Sequence, residues 1–212
     1  MSEPKPLAGK RVCLDPGHPS EVGMGTRGRV LTEVGVAWTI ALRVGGLLLE
    51  RGAVVQLTKS AERENVVNQK RADIANRFRA DLLLRFHCDA AAGRGVATYY
   101  PDRQGKTKRG VTGPAPAVLA VTKRIAPTFH RALIRSLAGT TMRDRGLKTD
   151  MATAIGAMQG ALTGSIFSQV PVLLVEMAVL TNAQDEAFLR DPKGHERMAI
   201  ALADAAQAAL TA

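Results

Sequence analysis

Four side chains, far apart along the 212 residues, have types and positions suited to metal-assisted hydrolysis. His18 closes the motif LDPGH, Glu33 opens an amphipathic stretch, His87 ends LLLRFH, and Glu176 interrupts the apolar run VLLVEMAV. Two imidazoles and a carboxylate form a recurrent catalytic zinc set that leaves a position for water. His18, Glu33 and His87 are the candidate ligands, for one zinc ion. The attacking water must give its proton to a group that is not a ligand, and Glu176 is the candidate for that role. Each residue also has a plainer reading. A histidine at a strand end is commonly a hydrogen-bonded structural residue, Glu33 suits a helix N-terminus, and Glu176 could be buried against an arginine. His130 and His195 have only helix-face contexts and read as structural. Cys88 follows His87 directly, but adjacent strand residues face opposite ways, so a Cys/His pair is not favoured.

Stepping along the chain, short β-branched runs alternate with helical periodicity, the pattern of an α/β fold with a largely parallel sheet. Strands are predicted over 11–15, 54–58, 82–87, 96–100 and 172–179. Helices are predicted over 33–50, with Thr32 as N-cap and Gly52 as stop, and over 66–79, burying Val67, Ile74, Ala75 and Phe78. A third helical stretch covers 117–137. Pro127 is expected to kink it or to divide it by sitting in the first turn of a second helix. The small-residue segment 149–169 has no clear period, and a final helix follows Pro192. Residues 1–9 read as a polar lead and 10–212 as one domain: a mixed, mostly parallel, twisted sheet flanked by helices. Because ligands bind beyond the carboxyl ends of such strands, His18, His87 and Glu176 fall where a site is expected.

Composition sets the outer limits. With 46% hydrophobic and 23% charged residues the chain is an ordinary folded protein, neither disordered nor low-complexity. The apolar stretch 170–180 is too short to span a membrane, so no membrane span is expected. A net charge of +10 favours polyanions: nucleic acid, anionic lipid or acidic wall polymer. With only five Phe, two Tyr and one Trp to serve as stacking platforms, no nucleic-acid partner is expected. The RQGKTKRG loop reads equally as a solvated set of charges. Cys13 and Cys88 are too few for a disulfide scaffold and read as buried thiols. The opening MSEPKPLAGK has no apolar signal core, consistent with a chain that stays inside or with a mature form whose leader has been removed. Nothing in the sequence sets the oligomeric state.

LDPGH, the LTE that begins the first helix, NQKRADIAN followed by ADLLLRFHCDA, RDRGLK and PVLLVEMAVLTN occur in that order over nearly the whole chain. Together they resemble the zinc-dependent N-acetylmuramoyl-L-alanine amidases of the Amidase_3 type. The resemblance implies a zinc-amidase/zinc-peptidase-like fold, zinc held by His18, Glu33 and His87, and Glu176 as catalytic acid/base. It further implies hydrolysis of the amide between the lactyl group of N-acetylmuramic acid and L-alanine, in peptidoglycan or muropeptide fragments, and hence an extracytoplasmic place of action. If the chain is exported, Cys13 and Cys88 could pair. The span between RGLK and PVLLVE is longer than in typical members, and its TAIGAMQGALTGSIF run, 153–167, is expected to form a mobile flap or a wall over the site. Another zinc amide hydrolase on the same scaffold, or a non-catalytic wall-binding module, are the alternative readings.

Overall fold

Apolar alternation at Val12 and Leu14 starts the first strand, β1 (Arg11–Pro16), of a computed structural model that describes residues 5–212. Residues 1–4 of the polar lead lie outside the described residues. Within its remainder Leu7 is fully buried, and its N–H donates to the Arg51 carbonyl. Helix α1 (Glu33–Glu50) begins where Thr32 accepts a hydrogen bond from the Gly35 N–H, satisfying an amide that has no partner within the helix. Its stripe Val36, Ala37, Ile40, Ala41, Val44, Leu47 and Leu48 is buried at the spacing the sequence implied. Then come β2 (Val54–Leu57), α2 (Asn68–Phe78), β3 (Leu82–Asp89) and β4 (Val96–Tyr100). A two-residue ladder, β5 (Gly105–Lys106) with β6 (Thr112–Gly113), lies in the basic loop. The remaining elements are α3 (Pro116–Ser136), β7 (Asp144–Thr149), α4 (Ala154–Gln159), α5 (Thr163–Phe167), β8 (Val172–Val179), α6 (Ala183–Arg190) and α7 (Pro192–Leu210).

Six strands form one sheet in the order β2-β1-β3-β8-β4-β7. The first four are parallel, β4 runs antiparallel to β8, and β7 is parallel to β4, so the sheet is mixed and mostly parallel as expected. Helices cover both faces, which is why β3 and β8 read as nearly unbroken apolar runs. On one face Leu82, Leu84, Phe86 and Cys88 join Leu173 and Val175 in the main core, beneath α1, α3 and α7. On the other, Leu83 packs with Cys13 and Ala75 of α2, and the side chains nearer the carboxyl ends, Arg85, His87 and Glu176, line a cleft. The two thiols are free, buried and in separate core clusters on opposite faces of the sheet. Among the described residues no helix is long and apolar enough to cross a membrane.

Two helix readings are corrected. Pro127 does not divide α3, which runs unbroken from Pro116 to Ser136. Proline removes the hydrogen bond to the carbonyl of Lys123, but Lys123 is exposed, where solvent can replace the lost donor. The buried residues on either side, Ile125, Ala126, Phe129 and Leu133, hold one continuous face against the core. Helix α2 starts two residues later than predicted. Val67 is its N-cap and is 43% exposed, while Val66 takes the buried position.

Candidate metal centre

The site is assembled from the end of β1, the start of α1 and the end of β3. The chain leaves β1 through Gly17 and reaches His18 in the left-handed region, at φ 51°. A non-glycine residue holds that conformation only when its surroundings fix it, and they do so here through Arg71. Arg71 is 1% exposed and donates to Asp15 Oδ1 (2.6 Å), Pro16 O (2.7 Å), Pro19 O (2.8 Å) and Val66 O (2.7 Å). Its guanidinium therefore grips the chain on both sides of His18. Arg85 Nε binds the other Asp15 oxygen at 2.7 Å, and Thr58 Oγ1 donates to the first. Burial pushes the Asp15 carboxyl up, but the charges of Arg71 and Arg85 and the Thr58 bond outweigh it and hold the group well below the usual carboxylate range. Lys59, itself buried, donates to the His18 carbonyl and to Glu62 O. Burial and the Arg71 charge pull its ammonium down to about 8.

His18 Nδ1 lies 2.9 Å from the Gly23 carbonyl and so carries the proton, leaving Nε2 as a lone-pair donor 3.5 Å from Glu33 Oε1. His87 Nδ1 is 2.8 Å from the same oxygen. Donor atoms of His18, Glu33 and His87 all lie within 4.8 Å of one another. Ligands about 2.0–2.1 Å from a tetrahedral ion stand roughly 3.3 Å apart, so this spacing suits a small divalent cation. Glu33 is 3% exposed and accepts from the N–H groups of Thr26 (2.6 Å) and Cys88 (3.1 Å). Burial raises its carboxyl, but the His87 hydrogen bond, the two imidazoles and the Thr26 amide outweigh that and keep it below its ordinary value. It is therefore an anion, as a ligand must be. Burial lowers His87 against the pull of Glu33, favouring the neutral imidazole.

The backbone leaves little spare room around these groups. A Cβ on Gly25, at φ +75°, would meet Glu33 Oε2 at 2.5 Å and His18 Cδ2 at 2.7 Å, and one on Gly17 would meet His87 Cε1 at 2.6 Å. His87 Nε2 and Glu176 Oε2 are both buried without a hydrogen-bond partner among the described residues. Buried polar atoms without a partner are costly in a folded protein and suit a site built to bind a ligand. Glu176 sits beside His87 in the β3–β8 register, one strand away. Burial, then the negative charges of Glu33 and Asp89, push its carboxyl far up, against Arg145 and Arg85. Both residues line a cleft of about 470 Å³. Its far wall comes from the 149–169 segment, which folds as a 3-10 turn (Asp150–Ala152), α4 and α5. Buried Asp150 fastens that wall by accepting from the Leu162 N–H at 3.0 Å.

All four residues singled out in the sequence thus come together. His130 bridges Thr98 and Asp144, and His195 meets Thr39, the structural roles expected of them. Sequence reasoning missed Arg71, Asp15, Lys59 and Glu186. Glu186, from α6, accepts from the N–H groups of Val30 (2.7 Å) and Leu31 (2.8 Å) and so holds the entry to α1. Asp15 and Arg71 stood inside the motifs LDPGH and NQKRADIAN, yet a one-dimensional reading carries no sign that they meet.

A profile of the family Amidase_3, described as N-acetylmuramoyl-L-alanine amidase, matches residues 12–208. The N-acetylmuramoyl-L-alanine amidase LytC of Bacillus subtilis (strain 168) is 32% identical over 203 residues, 94% of this chain. The chain spans 35% of that relative's length. Among solved structures, the apo form of the N-acetylmuramyl-L-alanine amidase Ami1 from Mycobacterium abscessus superposes with a TM-score of 0.76 at 26% identity, covering 96% of this chain and 100% of that one. The N-acetylmuramoyl-L-alanine amidase AmiC2 of Nostoc punctiforme has the same fold, with a TM-score of 0.73 at 22% identity over 94% of this chain and 96% of its own.

Proposed function

Since the chain belongs to the Amidase_3 family of N-acetylmuramoyl-L-alanine amidases, we propose that residues 10–212 form a catalytic domain that hydrolyses the lactyl–L-alanine amide of peptidoglycan or its fragments. The observation that carries this reading is the convergence of two imidazoles and a carboxylate beside an orphaned, protonatable Glu176 at the end of an open cleft. His18, Glu33 and His87 would hold one zinc ion. When bound, zinc supplies Lewis acidity that polarises the amide carbonyl and acidifies water.

The chain's own residues then have distinct tasks. The Gly23 carbonyl fixes the tautomer and aim of His18, as an outer partner of a ligand does. Glu176 takes the proton from the attacking water and returns it to the alanine nitrogen as the C–N bond breaks, giving a lactyl carboxylate and a free amine. Its buried Oε2 has no hydrogen-bond partner among the described residues and faces the cleft beside His87, which leaves it free to carry that proton from the water to the nitrogen. No covalent bond to the protein is required. The 149–169 wall and the edge of the sheet orient the stem along the cleft. The substrate implies action outside the cytoplasmic membrane.

Digestion of purified muropeptides by the zinc-loaded chain, followed by mass analysis, tests this reading. Intact stem peptides with a new alanine amino terminus, beside unbroken glycan, are expected. Cuts within the stem, or no cleavage, would contradict it.

A further inference from the structure

Beyond Glu176 the cleft carries cationic groups that the reaction above does not use. Arg85 is committed to Asp15 and Asn68. Arg145 and Lys148 of β7 are not so committed. Arg145 gives Nη2 to Asp89 Oδ2 at 2.7 Å, while its Nη1 is buried without a hydrogen-bond partner among the described residues. Lys148 is half-buried and has no carboxylate partner among the described residues, and its ammonium stands 5.8 Å from the centre of the Tyr99 ring. Both side chains line the cleft.

That they share a face is itself a feature of the backbone. Residues three apart on a regular strand point opposite ways. Here Val96 pairs with Asp144 but Thr98 pairs with Leu147, so β7 carries one extra residue against β4, and Gly146 at φ +93° takes up the bulge. The bulge turns Arg145 to the side on which Lys148 lies.

Across the sheet a row runs from His87 to Glu176, then Ala97, then the Arg145–Gly146 bulge. At about 4.8 Å per strand, the bulge lies roughly 10 Å from the Glu176 backbone. An extended substrate advances about 3.4 Å per residue, and an arginine side chain reaches back toward it. The second residue of a peptide lying across the row, with the scissile amide at Glu176, therefore comes within reach of both cations. Of the two halves of the substrate proposed above, only the peptide carries carboxylates once the lactyl group is amidated.

We propose that Arg145 and Lys148 form a subsite for a free carboxylate on the stem residue that follows the N-terminal alanine, so that acidic stems are preferred to their carboxamides. The inference rests on the amidase reading for the orientation of the stem. A carboxylate there takes the unused Arg145 Nη1–H and the Lys148 ammonium as charge-assisted hydrogen bonds, which a carboxamide accepts more weakly.

Two readouts separate this subsite from the reaction. The first is kcat/KM of the zinc-loaded chain on two muropeptides that differ only in carboxylate or carboxamide at the second stem residue. The second is direct binding, by titration calorimetry, of sugar-free stem peptides, amidated at the C-terminus and bearing the same two second residues. The acid is expected to lead by roughly ten-fold in both, the effect of one charge-assisted hydrogen bond. Lys148→Gln should collapse that ratio toward one and Lys148→Glu should invert it, with circular dichroism of each variant confirming the fold. An unchanged ratio in both variants, or equal binding of the two peptides to the unmodified chain, overturns the subsite. Selective peptide binding without amide cleavage would uphold the subsite and refute the amidase reading.

Discussion

Replacing Arg71 with Leu should loosen the metal centre from a distance. The guanidinium is 1% exposed and makes four hydrogen bonds, one to Asp15 and three to the carbonyls of Pro16, Pro19 and Val66. Removing one partner of a buried ion pair costs about 3–5 kcal/mol, and the lower end applies because Arg85 still faces Asp15. Carbonyls deprived of a donor add about 1 kcal/mol or more between them. The sum, about 4–5 kcal/mol, is a large part of the roughly 5–15 kcal/mol that holds a domain folded. At about 2–4 °C per kcal/mol for a chain of this size, the melting temperature should fall by about 8–20 °C. Zinc affinity should fall as well, since the loop that holds His18 at positive φ has lost its clamp. Arg71→Lys keeps the charge but not the fork that spans Pro16 and Pro19, so it should recover only part of both. Urea unfolding and chelator competition measure the two effects. A loss under about 1 kcal/mol with unchanged zinc affinity would refute the clamp.

The remaining expectations concern the same groups. Because the Asp15 carboxyl is held below its unfolded value, its contribution is complete above pH about 4 and is lost as the pH falls further. Urea midpoints should therefore drop on acidification, and less steeply in Asp15→Asn; parallel acid limbs would contradict this. Glu176 shifts the opposite way: its folded form binds the proton more tightly, so stability declines as pH rises above the unfolded carboxyl range. Glu176→Gln should abolish turnover, keep zinc bound, and melt higher than the unmodified zinc-free chain at pH 8 but not at pH 4; an active Gln variant would remove the role. Gly25→Ala, which drives a Cβ to 2.5 Å from Glu33 Oε2, should weaken zinc binding more than it lowers the melting temperature; equal zinc affinity would show that the loop yields freely. Shortening 151–165 should change substrate range or rate more than zinc content, and equal loss of metal and fold would refute that.

The candidate ligands were legible as a group because each sits where chain direction alone sets its place: His18 and His87 at the ends of strands, Glu33 at a capped helix start. Helix α1 was legible for a similar reason, since its buried face repeats with helical spacing. Strand β7 was not, because it is a polar edge strand with little buried along it and no alternation to read. Helix α6 was not read either: it is only two turns long, and its start is set by Asn182, which caps it by accepting from the N–H groups of Gln184 and Asp185. Segment 149–169 takes its shape from a buried Asp150 and from neighbours distant in sequence, so no local period encodes it. The Asp15–Arg71–Arg85 network escaped for the same reason: its members are 56 and 70 residues from Asp15, and only the folded sheet brings them together.

The most direct measurement is an anomalous-difference map at the zinc edge, from crystals of the zinc-loaded chain. One strong peak bounded by His18 Nε2, the Glu33 carboxylate and the His87 imidazole, and open toward Glu176, is the expected result. A peak elsewhere, or none at full zinc saturation, would contradict the assignment of all four residues.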